Sequence, residues 1–204
     1  MVRANHSRRM AKSTTRRAFI TDGAKAASLL ALGCGSSIAA RDAGRERCSA
    51  TPADIEGPFF KPSSPERTSL VEPGTSGVRI TLRGTIMDAD CRPIARAIVD
   101  FWQADVDGAY DNETFRLRGH QVVAEDGRYE LTTIVPGRYL NGSQYRPAHV
   151  HCKVYVGGTE RLTTQLYFED DPFNAVDPWF SEQTMLTPRD EGGGLVADFD
   201  FSIA

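Results

Sequence analysis

The sequence predicts an all-β protein, an antiparallel β-sandwich with long loops and little helix. Period-two segments recur along most of its length, glycine-centred turn pairs separate them, and after residue 40 no stretch sustains an apolar period of 3.6 for three turns. Short strands at such spacing close most economically as a sandwich. The chain has 204 residues, 40% hydrophobic and 25% charged, the range of an ordinary globular domain. Its net charge of −3 hides an asymmetry, because seven of the 24 Lys and Arg fall in residues 1–40 against one acid, Asp22. The remainder carries 17 basic against 26 acidic residues. That balance excludes a nucleic-acid binder, which needs a basic face.

Residues 1–40 read as a twin-arginine export signal. Arg16-Arg17 with Phe19-Ile20 precedes the apolar run Ala26–Leu32, and small residues follow to Ala40. The run is far shorter than the ~20 residues of a bilayer span. Cleavage after Ala39 or Ala40 is the first expectation, and a lipid anchor at Cys34 the second. The protein is expected outside the cytoplasm, periplasmic or extracellular. The twin-arginine route carries folded proteins, often with a cofactor already loaded, which favours a metal.

Residues 41–77 form an extended arm, rich in Pro, Ser and Gly from Thr51 on, and residues 78–204 the sandwich on which it packs. The expected strands are Val78–Leu82, Ala97–Trp102, Tyr129–Ile134, His149–Val156, Leu162–Phe168 and Val196–Ile203. Asp107-Gly108, Asp126-Gly127, Pro136-Gly137, Asn141-Gly142 and Gly157-Gly158 supply turns. Cys48 and Cys91 are available for a disulfide, which export permits, and Cys152 belongs in the core.

Chemistry concentrates between residues 110 and 165. His149 and His151 lie two apart on a strand, so both imidazoles project to one side of the sheet. Zn, Cu, Ni and Fe all accept such a pair. There is no Cys-x-x-Cys pair after the leader, but Tyr110, Tyr139 and Tyr145 stand next to turns. Phenolate is a hard anionic donor, so two tyrosinates with two imidazoles favour Fe(III). Two phenolates and one hydroxide balance a trivalent ion, and only such an ion ionises a phenol of pKa ~10 near neutrality.

Five ordered segments then resemble the intradiol ring-cleavage dioxygenases, particularly protocatechuate dioxygenase subunits. They are Thr51–Phe60, Ala97–Trp102 with Gly108-Ala109-Tyr110, Pro136–Tyr139, Arg146–His151 and Gln165–Phe168. The resemblance implies non-haem Fe(III) held by Tyr110, Tyr139, His149 and His151, with a catechol-type substrate and O2 as reactants. It further implies that Tyr139 yields its place to the substrate and leaves as a neutral phenol, that Arg146 sets a positive charge beside the ring, and that Gln165 is the neighbouring amide. The ring would open between its two hydroxylated carbons to a muconate-type diacid. Tyr145 rivals Tyr139, which is preferred because it follows Pro-Gly. The segment between Tyr139 and Arg146 is short for a protocatechuate enzyme, and the long helical N-terminal region of catechol and hydroxyquinol dioxygenases is missing, so a dimer built on that region is not expected. A homo-oligomer of another kind stays open.

Two other readings compete. A non-enzymatic β-sandwich binding module would use Trp102, Trp179 and Phe180 as contact surface and leave the tyrosines as packing. A zinc or copper enzyme would add His120 to His149 and His151.

Overall fold

The computed structural model of the protein describes residues 47–204; the expected export signal and Cys34 lie outside the described residues. Within them almost every element is a strand. One sheet holds β1 (Arg79–Asp88), β4 (Arg128–Ile134), β10 (Arg189–Asp190), β11 (Leu195–Asp198) and β12 (Phe201–Ile203). The other runs in the order β3 (Arg118–Val122), β2 (Ile98–Gln103), β7 (His149–Val156), β8 (Thr159–Phe168) and β9 (Met185–Leu186). A two-stranded hairpin, β5 (Leu140–Asn141) and β6 (Gln144–Tyr145), and two single-turn 3-10 helices, Asn174–Val176 and Glu182–Thr184, complete the fold.

The inner faces meet in one apolar core. Ile80 and Leu82 of β1 and Leu131 of β4 belong to the same buried cluster as Val99 and Phe101 of β2 and Val150 of β7. Phe101 reaches across to Tyr129, ring centres 5.6 Å apart. The outer face of the second sheet is buried as well, which is why β2 and β7 show hardly any exposed position. The arm covers it. Asp54 N–H donates to the Thr163 carbonyl on β8 and Arg67 N–H to His120 on β3, while Leu70 N–H reaches Thr132 on β4 of the first sheet. Cys48 and Cys91 form a disulfide that fastens the start of the described arm to the turn after β1.

The sheets are mixed where wholly antiparallel ones were expected. β1 pairs parallel with both β11 and β12, and β8 with β9. These partners return after long connections, and only a tight hairpin forces antiparallel pairing. The single strand expected over Val196–Ile203 is two, broken at Phe199 and Asp200. There Phe199 N–H donates to Arg83 and its carbonyl accepts the Tyr129 hydroxyl at 2.7 Å, so the chain bulges toward β1. Gly84 makes room, since a Cβ at that position would stand 1.8 Å from the Phe199 oxygen. β3 escaped the sequence because Arg118-Gly119-His120-Gln121-Val122 shows no apolar alternation.

Candidate metal centre

Sheet register assembles the site. Arg118 of β3, Trp102 of β2, His151 of β7 and Gln165 of β8 form one row across four strands, and His149 pairs with Tyr167 in the row beside it. All lie on the face under the arm. The Trp102 indole stacks on the His151 imidazole, 4.7 Å between centres and 8° between planes. Gly57 of the arm, at φ +72°, passes directly over that imidazole; a Cβ there would lie 3.4 Å from the His151 ring.

The two tyrosines arrive on loops that cross at glycines. Gly137 N–H donates to the Asp105 carbonyl at 2.7 Å. A Cβ on Gly137 would stand 2.3 Å from the Val106 oxygen, and one on Gly108 2.2 Å from the Arg138 oxygen. Two backbones in such contact set Tyr110 and Tyr139 edge to face, 5.7 Å between ring centres. Phe59 of the arm stacks flat on Tyr110 at 4.2 Å. The β5–β6 hairpin is closed at its base by Arg146 N–H donating to the Tyr139 carbonyl, which makes these two residues neighbours.

Three donor atoms converge. Tyr110 Oη lies 3.2 Å from His149 Nε2, which lies 3.2 Å from His151 Nε2, and the Tyr139 ring packs 6.1 Å from the His149 ring. His149 commits its Nδ1 hydrogen to the Pro147 carbonyl at 2.7 Å, so its Nε2 presents a bare lone pair to the cluster. Burial, aided by the Arg146 charge, lowers the His149 pKa to about 4 and that of His151 well below the ordinary range. Both imidazoles are neutral at pH 7. Tyr110 is half-buried, and burial with the second phenol of Tyr139 pushes its pKa far above 10.

Two aromatic nitrogens facing each other at 3.2 Å with one phenol at equal distance is the spacing that donors ~2.1 Å from a shared cation adopt. Among the described residues no three His, Cys, Asp or Glu side chains are grouped to hold a metal, so a cation here needs the phenols as ligands. The donor set fits a trivalent iron: neutral nitrogens, hard oxygens, and phenols that ionise only against a strong positive charge.

A family model described as a dioxygenase matches residues 55–203. The chain belongs to the intradiol dioxygenase family. It is 34% identical over 151 residues to a chlorocatechol 1,2-dioxygenase of Rhodococcus opacus, covering 60% of this chain and 58% of that one. It is 32% identical over 153 residues to a catechol 1,2-dioxygenase of Acinetobacter baylyi, covering 63% and 49%. The chain thus spans about half the length of these curated relatives. Among solved structures, the dioxygenase domain of a dioxygenase carbohydrate-binding protein fusion from Streptomyces superposes with a TM-score of 0.71 at 44% identity, over 76% of this chain and 98% of that one.

Arg146 and Gln165, the two other residues singled out in the sequence, are both buried. Arg146, 4% exposed, grips Asp177 through Nε at 2.7 Å and Nη2 at 3.2 Å, and Nη2 also donates to the Tyr167 hydroxyl at 3.0 Å. Burial opposes its charge, but Asp177 and the phenols outweigh burial and hold the pKa above the ordinary guanidinium value. Gln165 donates through Nε2 to the Ile55 carbonyl and accepts the Tyr167 hydroxyl through Oε1. Tyr167 lies beside the His149 ring and shares its hydroxyl with Asp54 at 2.8 Å; burial and that carboxylate push its phenol far up.

Tyr145 does not compete with Tyr139. It is 48% exposed on the hairpin and packs against Phe173. His120 stands on β3, two strands from β7, with Nδ1 donating to the Ser64 carbonyl at 2.7 Å, which removes the zinc or copper set built on it. Trp102 is 1% exposed and offers no contact surface, and Trp179 lies under the Arg146 guanidinium. Cys152 is fully buried, as expected. A cleft of about 560 Å³ lies between Val135, Arg138, Phe168 and Phe173, and none of Tyr110, Tyr139, His149 and His151 lines it.

Sequence reasoning missed Asp177, Asp54, Phe59 and Arg118. Tyr167 could have been found, since it shares the face of Gln165 by period two. Asp177 had no signal, for its partner lies 31 positions away.

Proposed function

We propose that the protein is an exported, Fe(III)-dependent intradiol dioxygenase that opens a catecholic ring between its two hydroxylated carbons, with O2, to a muconate-type diacid. The single observation that carries this reading is the convergence of Tyr110 Oη, His149 Nε2 and His151 Nε2 beside the Tyr139 ring. Tyr110, Tyr139, His149 and His151 would hold the ion. Its contribution when bound is that of a Lewis acid, fixing a catechol as its dianion and raising electron density on the ring.

The rest is the work of side chains. Tyr139 is half-buried at the solvent edge, so its ring can swing out and its oxygen can take one of the two protons the catechol gives up. Arg146 stays charged under all working conditions, and its fixed positive charge beside the substrate position stabilises negative charge built on the ring. Asp177 keeps that guanidinium in one orientation. The arm, through Gly57 and Phe59, roofs the imidazoles and keeps bulk water off the reacting centre. The catechol and chlorocatechol enzymes among the relatives support a simple catechol as substrate. Export is supported by the basic, apolar and small-residue order of residues 1–40 and by the Cys48–Cys91 disulfide, which an oxidising compartment maintains.

Oxygen uptake by the iron-loaded protein across a panel of catechols, with product mass, tests the proposal. One O2 consumed per ring, both atoms in a ring-opened diacid, is the expected result. Release of hydrogen peroxide with an intact quinone, or no uptake with any catechol, would overturn it.

A further inference from the structure

Arg118 is an unusual arginine. It is 1% exposed, and among the described residues no carboxylate pairs with it at ion-pair distance. Its donors go to carbonyl oxygens instead. Nε and Nη2 both donate to the Asp111 carbonyl, at 2.9 and 2.7 Å, and Nη1 donates to the Phe59 carbonyl at 2.5 Å. A buried guanidinium without a carboxylate is costly to keep. What it achieves has to be sought in what it joins.

It joins the two segments that sandwich one candidate ligand. Asp111 directly follows Tyr110, and the Phe59 ring lies flat on the Tyr110 ring, 12° between planes. The Asp111 carboxylate meanwhile accepts the N–H groups of Glu113, Thr114 and Arg116, so the loop beyond Tyr110 is tied around that one residue. Arg118 sits in the strand row that continues through Trp102 to His151, hence its fork refers the Tyr110 loop and the arm to the same sheet that carries the imidazoles. A lysine ends in a single point and cannot bridge two carbonyls in this planar way.

We infer that Arg118 is a positioning residue of the metal centre: its guanidinium clamps the Asp111 and Phe59 carbonyls so that the Tyr110 ring is held against Phe59 with its oxygen toward His149. The inference rests on the proposed Fe(III) centre, where Tyr110 is a ligand. It assigns to β3 a role in the centre through Arg118, whose hydrogen bonds go to the carbonyls of Asp111 and Phe59.

The test uses the full chain loaded with ferric iron. Wild type, Arg118→Lys, Phe59→Leu and Ser64→Ala are compared for iron affinity by chelator competition and for the visible tyrosinate-to-iron band, with Tyr110→Phe marking the part of the band that belongs to Tyr110. Ser64 Oγ donates to Asp100 and fastens the arm elsewhere, so Ser64→Ala loosens the arm without touching the clamp. Arg118→Lys and Phe59→Leu are expected to lose roughly ten- to hundredfold in iron affinity and to shift the Tyr110 part of the band, while Ser64→Ala leaves it in place. Should Arg118→Lys fail to fold, Arg118→Gln, which keeps a planar donor for one carbonyl only, decides the matter. A coloured wild type whose band and affinity survive in the clamp variants overturns the inference alone. A wild type that binds iron without colour overturns the iron–tyrosinate reading and the inference with it.

Discussion

His149 is held with a neutral ring and a bare Nε2 lone pair, the state that the proposed metal centre requires of it. Its Nδ1 hydrogen is fixed on the Pro147 carbonyl, and burial with the Arg146 charge keeps the ring neutral. That neutrality has a consequence for stability. The folded pKa of about 4 lies below the ~6.5 of an unfolded histidine, so between these values the unfolded chain binds the proton that the folded one refuses. Stability of the metal-free protein therefore falls as pH drops from about 6.5 to 4, with His149 accounting for a few kcal/mol of the loss. Denaturant melts across that window measure it. His149→Gln is expected to flatten the slope, and an equal slope in the variant would contradict this origin. At this scale the sequence was informative wherever period two applied, as it does for His149, His151 and Gln165. It was silent on Asp177 and Arg118, because a buried ion pair or a clamp on backbone carbonyls is defined only by what the fold brings near.

The loops act as elements through their crossing point. Gly108, at φ +82°, lets the Asp105–Tyr110 loop rest on the Arg138 carbonyl, and Gly137 returns the approach against Val106. The Asp-Gly and Pro-Gly pairs were legible as turns, but their mutual contact was not, since a turn signal is local and says nothing of what the turn touches. Gly108→Ala places a methyl inside a backbone contact and in a disfavoured φ, and is expected to separate Tyr110 from Tyr139. Gly142, at φ +64° with no atom within 4 Å of where a Cβ would stand, is the control: Gly142→Ala costs only the left-handed strain, about 1 kcal/mol. Iron stoichiometry and thermal midpoints separate the two. Loss of iron in the first and retention in the second is the prediction; equal behaviour would mean that the crossing does not set the tyrosine pair. The same contrast of local and distant information explains the C-terminal strand, read as one run and found broken at Phe199, where Gly84 admits the bulge.

For the whole molecule, the decisive feature is an arm that turns the outer face of a sheet into an interior. The sequence showed the arm as Pro- and Gly-rich chain and the sheet as alternating strands, and the all-β class followed from those patterns. Sheet order and the parallel returns of β11 and β12 did not, since nothing local distinguishes a strand by its partner. The arm is fastened by the Cys48–Cys91 bond across 43 residues, a loop whose closure stabilises the fold by about 4 kcal/mol on chain entropy. Thiol reductant is expected to lower the unfolding midpoint by a corresponding amount, and a midpoint indifferent to reductant would show the arm to be held by its other contacts alone. The proposed function rests on four donors meeting around one ion. Anomalous diffraction at the iron edge from crystals of the iron-loaded protein tests this most directly. A four-donor centre predicts a single strong peak within bonding distance of Tyr110, Tyr139, His149 and His151; a peak elsewhere, or bonded to the imidazoles without either phenol, would contradict it.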